Sequence, residues 1–288
     1  MTERFDARLL LLITLAMLAF ASNSVLGRLA LGSEAIDPGS YTLIRLASGA
    51  LMLWMIVRFN RRSSSGAAES RPRQWLSGVM LVVYALCFSF AYVSLHTGTG
   101  ALILFGMVQL TMVGWGVAKG ERPSPVQWVG SALAIAGLCY LVSPGVTAPP
   151  LKGAVLMALS GVAWGVYSLR GKGVSSPIQA SAENFLWALP LAVLVWLLTM
   201  SGWHASLNGV LLAVGSGALA SGLGYVLWYR ILPAITATTA ATVQLSVPVI
   251  ASVLGVLLVS EPVTMRLVVS SFTILGGIGL VIAARRGA

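Results

Sequence analysis

The chain has 288 residues, 57% of them hydrophobic and only 9% charged, with a formal net charge of +10. Soluble domains carry about 25% charged residues, so this composition excludes a soluble fold and puts the chain in a bilayer. In a soluble protein the basic surplus would suggest nucleic acid; here it lies in short gaps between apolar runs, which excludes nucleic acid as partner and reads as orientation signal and attraction to anionic lipid heads.

Ten windows of near-continuous apolarity follow one another: Leu9 to Leu31, Ser40 to Phe59, Trp75 to His96, Gly100 to Ala118, Val126 to Val142, Gly153 to Leu169, Gln179 to Met200, Leu207 to Tyr229, Thr236 to Val259 and Thr264 to Ala284. Roughly 20 residues at about 1.5 Å rise cover about 30 Å of hydrocarbon, so each is of spanning size. Lipid offers backbone amides no partner, and the alternation that barrel strands need is absent; the class is therefore an all-α polytopic membrane protein with ten transmembrane helices.

Arg4 and Arg8 before the run from Leu9 to Phe20 imitate a secretory signal, but the run continues to Leu31 and reads as an anchor that stays in place. Segment one carries Ser22-Asn23-Ser24 at mid-membrane. Segment three places Tyr84, Phe88 and Tyr92 four residues apart and so on one helix face, with His96 at the next step near the end. That stripe is either core or the wall of a binding cavity. Asn60 to Gln74 is a basic, Ser-rich linker expected to be mobile. Cys87 and Cys139 fall inside apolar segments, where free thiols pack as small hydrophobes.

Segment four holds Gln109 and Thr111. A buried amide either glues helices together or lines a wet cavity. Segment six brings Gly161 and Gly165, a small-xxx-small face for close approach, with Trp164 projecting elsewhere onto a cavity or into packing. Segment eight adds Tyr225, Trp228 and the glycines Gly215, Gly217, Gly222 and Gly224, suited to tight crossing or hinge motion. Segment nine repeats the polar pair of segment four as Gln244 and Ser246, and Pro248 is expected to kink it by freeing the Gln244 carbonyl. Arg28, Arg45, Glu183 and His96, each within about two turns of a segment end, are expected to snorkel to the interface.

The chain repeats itself. Val108-Gln109-Leu110-Thr111 is answered by Val243-Gln244-Leu245-Ser246, and the hinge acid Glu121 by Glu261. The two repeats are taken as residues 1–145 and 146–288. Five helices per repeat is an odd number, so the second enters the membrane from the opposite side, which gives two inverted five-helix repeats around a central site. With both termini cytoplasmic, every Lys and Arg except Arg28, Arg45, Lys152 and Arg266 falls on the cytoplasmic side, as the positive-inside rule requires.

Catalysis finds no support. The chain has no Gly-rich nucleotide loop with Lys and Ser or Thr, and only two His, so no enzyme, no metal, no cofactor and no ATP of its own are expected. No acid stands at mid-membrane on segment one or its repeat, which disfavours proton coupling through a buried acid.

These residues resemble the EamA-type members of the drug/metabolite transporter superfamily. The likeness is carried by Glu261-Pro262-Val263-Thr264 with Gly276-Gly277, by Glu121-Arg122-Pro123 with Gly130 and Gly137, and by Ala21-Ser22-Asn23, Pro38 with Arg45, and Ala163-Trp164. It implies ten helices in inverted repeats and transport of a small molecule. Trp164 and Gly106-Met107-Val108-Gln109 are similar to the subgroup of aromatic amino acid exporters typified by YddG, although Leu110 and Met112 are aliphatic where aromatics are expected there. The resulting expectation is export of aromatic or neutral hydrophobic amino acids across a bacterial inner membrane by alternating access. Ser22, Asn23, Gln109, Gln244 and Ser246 would meet the solute's polar groups, and Tyr84, Phe88, Tyr92, Trp164 and Tyr225 its side chain. Another drug or metabolite carrier of the superfamily is the alternative, a non-transporting subunit a remoter one.

Overall fold

The computed structural model describes residues 6–60, 74–120, 122–145, 147–171, 174, 176–199, 202–231, 234–235 and 243–284. Ten helices run in order: α1 (Ala7–Leu31), α2 (Pro38–Asn60), α3 (Gln74–Tyr92), α4 (Thr97–Ala118), α5 (Pro125–Val142), α6 (Leu151–Gly171), α7 (Pro177–Leu198), α8 (Leu207–Ile231), α9 (Ser246–Val259) and α10 (Met265–Ala284). Nine of them are long and apolar enough to cross a membrane; α9 is shorter. Among the described residues the only β pairing is the isolated bridge Ile36 with Ala205. Outward-facing side chains such as Leu198 and Phe272 are 75% and 78% exposed, an apolar surface that suits a lipid surround.

Local sequence sets several helix starts. Asp6 accepts from the Leu9 amide at 2.7 Å, and Asp37 from the Ser40 amide at 2.9 Å ahead of a helix that opens on Pro38. Ser124 and Gln127 form a reciprocal capping box around Pro125.

Contacts between helices follow the repeat. The pairs α3 with α6, α4 with α6 and α2 with α8 are matched, five helices on, by α8 with α1, α9 with α1 and α7 with α3. The pairs α2 with α7, α4 with α9 and α5 with α10 join equivalent helices. This two-fold pattern is the signature of two inverted five-helix repeats.

Helices in lipid gain nothing from hydrophobic burial against each other, so they associate where small residues let backbones touch. A Cβ on Gly130 would lie 2.5 Å from the Gly277 carbonyl oxygen, and one on Gly277 would lie 2.5 Å from that of Gly130. Those two glycines therefore fuse α5 to α10. Likewise a Cβ on Gly161 would stand 2.6 Å from the Leu104 carbonyl, and Gly165 faces Thr111, which bears out the small-xxx-small face on α6 and assigns it to α4.

Three expectations are corrected here, and a fourth, the kink of segment nine, holds. Helix α3 stops at Tyr92, and His96 is the N-cap of α4 rather than the next step of the aromatic stripe, because the chain turns at Val93 to Leu95. Segment nine is interrupted as expected: Val243 and Gln244 are helical, Leu245 is a turn that keeps right-handed helical angles, and α9 begins at Ser246. The interruption falls one turn before Pro248, beside the Gln244 carbonyl that its missing N–H frees, which is where the kink is expected. Cys139 is exposed on the lipid-facing side of α5, whereas Cys87 is half-buried; both are free thiols. Arg45 does not snorkel, as the site below shows. Glu121, the linker residues 61–73 and the opening of segment nine at 236–242 lie outside the described residues.

Helix α8 is not uniform. Gly215–Leu223 is wound as a π-helix between two α-helical pieces. Such widened turns are uncommon and concentrate at functional sites. A Cβ on Gly217 would collide with the Arg45 carbonyl oxygen and the Ser48 hydroxyl, so only glycine lets this segment lie against α2.

Candidate functional site

An aromatic cluster forms where the two halves meet. From the first half α3 supplies Tyr84 and Phe88, with ring centroids 5.7 Å apart. From the second, α6 supplies Trp164, 4.8 Å from Tyr84 and 5.4 Å from Tyr225 of α8. Tyr167 stacks on the far side of Trp164 at 5.2 Å with planes 24° apart. Phe20 of α1 and Phe185 of α7 close on Tyr225 edge-on at 6.2 and 6.0 Å. Trp164 is only half-buried, while Tyr84, Phe88 and Tyr225 are buried. The helix spacing of Tyr84, Phe88 and Tyr92 accounts for the stripe, and it faces the bundle interior, with Phe88 4.7 Å from Tyr92.

Arg45 lies under this cluster and is 2% exposed. It stands seven residues into α2, about 10 Å from its start, yet its guanidinium turns inward instead of out to an interface. Nη2 donates to the Tyr84 hydroxyl at 2.7 Å, and the guanidinium carbon lies 5.1 Å from the Tyr84 ring centre and 4.5 Å from that of Phe88. Ring faces and one hydroxyl thus take the place of water. Nη1 has no hydrogen-bond partner among the described residues, whereas the buried hydroxyl of Tyr41, one turn earlier on the same helix, faces Ser216 of the π segment.

The polar residues expected at the site divide into three groups. Asn23 is buried, and its Oδ1 accepts from Ser216 at 2.8 Å and Ser221 at 3.3 Å, both in the π segment of α8. It therefore pins α1 to the widened turn. Ser22 and Ser246 donate to carbonyls of their own chain neighbourhood, Leu18 at 2.7 Å and Val243 at 2.6 Å, which leaves them acceptors only. Gln109 and Gln244 are half-buried and make no hydrogen bond among the described residues. Thr111 donates to Met107 within α4.

A second constellation lies at the end of the bundle where α3 meets α4. Ser260 ends α9 at φ 56°, a left-handed conformation unusual for a residue with a Cβ, and turns Glu261 back onto the bundle. The Glu261 carboxylate accepts from the Thr97 amide at the start of α4, at 2.8 and 3.0 Å to its two oxygens, and from Arg28 Nε of α1 at 3.2 Å. Arg28 also donates to the carbonyls of Tyr92 and Val93, at 3.2 and 3.1 Å. His96 Nδ1 stands 3.5 Å from the same carboxylate. One acid therefore holds together α1, the α3–α4 turn and the α9–α10 hinge, with a negative charge placed on a helix N-terminus as the helix dipole favours. Arg28, expected to snorkel, is committed to this clasp.

Sequence reasoning missed Arg45, Tyr41 and the serines of the π segment as parts of the site. A cation inside an apolar segment was the available signal, since such residues face the bundle interior more often than lipid.

The EamA-like transporter family model matches the chain twice, over residues 7–143 and 151–283. The chain belongs to the EamA-like transporter family. An uncharacterized protein of Pseudomonas aeruginosa is 49% identical over 98% of this chain and 97% of its own length. An uncharacterized transporter of Archaeoglobus fulgidus is 28% identical, covering 93% of each chain, and the uncharacterized transporter YwfM of Bacillus subtilis is 28% identical over 81% of this chain and 80% of its own. A crystal structure with 18% identity superposes with a TM-score of 0.66 over 95% of this chain and 97% of that one, a likeness of fold. As a member of the family the chain is a multi-pass membrane transporter of a small molecule.

Proposed function

We propose that this transporter exports amino acids, aromatic or neutral hydrophobic ones, across a bacterial inner membrane by alternating access, with both termini cytoplasmic. The observation that carries the reading is the aromatic cluster of Tyr84, Phe88, Trp164 and Tyr225, built from both halves of the bundle. Stacking and apolar burial there suit a ring or a hydrophobic side chain, and few polar groups remain to fix orientation. Asn23, Gln109, Gln244, Ser22 and Ser246 supply those groups, and Tyr92 at the end of the aromatic stripe joins the other rings against the solute's side chain. The interruption at Leu245, one turn before Pro248, gives segment nine a joint at the start of α9. The clasp at Glu261 closes one end of the bundle, and its release opens that end.

The test is flux. Purified protein in liposomes loaded with labelled Phe, Trp, Thr or Met, assayed with and without a pH gradient, is expected to release at least one of them faster than empty liposomes. Equal release with and without the gradient identifies facilitated diffusion. Amino-acid release no faster than from protein-free liposomes, under either condition, refutes the reading.

A further inference from the structure

We propose that Arg45 is the anchor for a carboxylate on the transported solute, so that the site selects carboxylate-bearing molecules over the matching amines and amides. The proposal deepens the amino-acid reading and rests on it only for the choice of solutes.

The argument begins with an imbalance. A guanidinium keeps its proton at any physiological pH, so burial leaves Arg45 charged. Buried charges are ordinarily paired. Among the described residues no carboxylate contacts Arg45; the groups that interact with it electrostatically are the phenols of Tyr84, Tyr41 and Tyr225. Its Nη2 arm is taken by Tyr84, whereas its Nη1 arm is a buried donor without an acceptor among the described residues; the Tyr41 hydroxyl beside it faces Ser216. Tyr41 and Arg45 are four residues apart on α2 and so share a face.

A site with one unpaired cation and an unspent guanidinium arm lacks an acceptor carrying one negative charge. A carboxylate fits: it accepts from the free guanidinium arm and neutralises the charge. A phosphate dianion would leave excess negative charge, because no second Lys or Arg contacts the cluster among the described residues. Geometry places the acceptor beside the rings. Arg45 is held by Tyr84, and Tyr84 touches Trp164, so a solute whose carboxylate meets Nη1 has its side chain within reach of the half-buried indole. The glycine at 217 brings the π segment of α8 onto the Arg45 carbonyl, which links the anchor to the widened turn.

The test uses the full-length protein in detergent and in liposomes. Thermal shift and competition against labelled Phe are measured with phenylalanine, 3-phenylpropionate, phenylalanine amide, 2-phenylethylamine and inorganic phosphate, and with threonine and methionine beside their amides. Wild-type protein is expected to bind each carboxylate roughly ten- to a hundredfold better than its amide or amine, the range set by one charge-assisted hydrogen bond. Arg45→Gln is expected to bring that ratio near one, and Arg45→Lys to restore part of it. If Arg45→Gln does not fold, the wild-type series decides alone. Equal binding of phenylalanine and its amide overturns the proposal, as do phosphate binding tighter than any carboxylate and the absence of a shift with every carboxylate. A carboxylate-selective shift without amino-acid flux upholds the anchor and sinks the export reading. Flux inhibited equally by amine and carboxylate does the reverse.

Discussion

Replacing Glu261 with Gln preserves the shape of the clasp and removes its charge. The Glu261 side chain is 8% exposed and that of Arg28 18%, so solvent screens the pair only weakly. Breaking a buried ion pair costs about 3–5 kcal/mol. Two features lower that figure: the amide oxygen of Gln still accepts from the Thr97 amide, and Arg28 keeps the Tyr92 and Val93 carbonyls. The expected loss is therefore about 2–3 kcal/mol, a bond to a charged group less what a neutral one retains. At 1.4 kcal/mol per tenfold, that is roughly a thirty- to hundred-and-fifty-fold larger population with this end of the bundle undone. Amide hydrogen exchange of the segment holding Thr97 reads the change directly, because that amide is the one Glu261 protects. A double-mutant cycle with Arg28→Gln isolates the pair. If Arg28→Gln speeds exchange by the same factor whether residue 261 is Glu or Gln, the two are uncoupled and the clasp described above is wrong.

Two adjacent glycines provide a second test. Gly277→Ala should lower thermal stability by about 1–3 kcal/mol, since its Cβ would meet the Gly130 carbonyl and the Ala134 amide, whereas Gly276→Ala meets nothing within 4 Å and should be neutral or gain up to about 1 kcal/mol of helix propensity. Equal melting shifts for the two would show that α5 and α10 do not cross there. Trp164→Ala should change the order of preference among Phe, Trp, Thr and Met in liposomes while expression stays intact, because the half-buried ring borders the cluster rather than filling a sealed core. Loss of folded protein would make it a packing residue instead.

The amino-acid sequence by itself determined the ten segments, their helical form and the doubling of the five-helix unit. Each of these is set by one helix against lipid: about 20 apolar residues span the core, and the backbone must satisfy itself within the segment. The glycines of α6 were legible for the same reason, because a missing side chain marks close approach whatever the partner is, whereas Gly130 and Gly277 were marked only by the family resemblance. The aromatic stripe of α3 followed from helical spacing alone.

Only the tertiary structure decided where polar groups spend their hydrogen bonds. Asn23 and Ser22 are neighbours in sequence, yet one reaches across to the π segment and the other turns back to Leu18. Arg45, read as a snorkelling charge, became the buried centre of the site because Tyr84 and Phe88 on another helix receive it. Hydropathy measures a residue against lipid, and the partner that makes a buried charge tolerable belongs to a different helix, which no local pattern records.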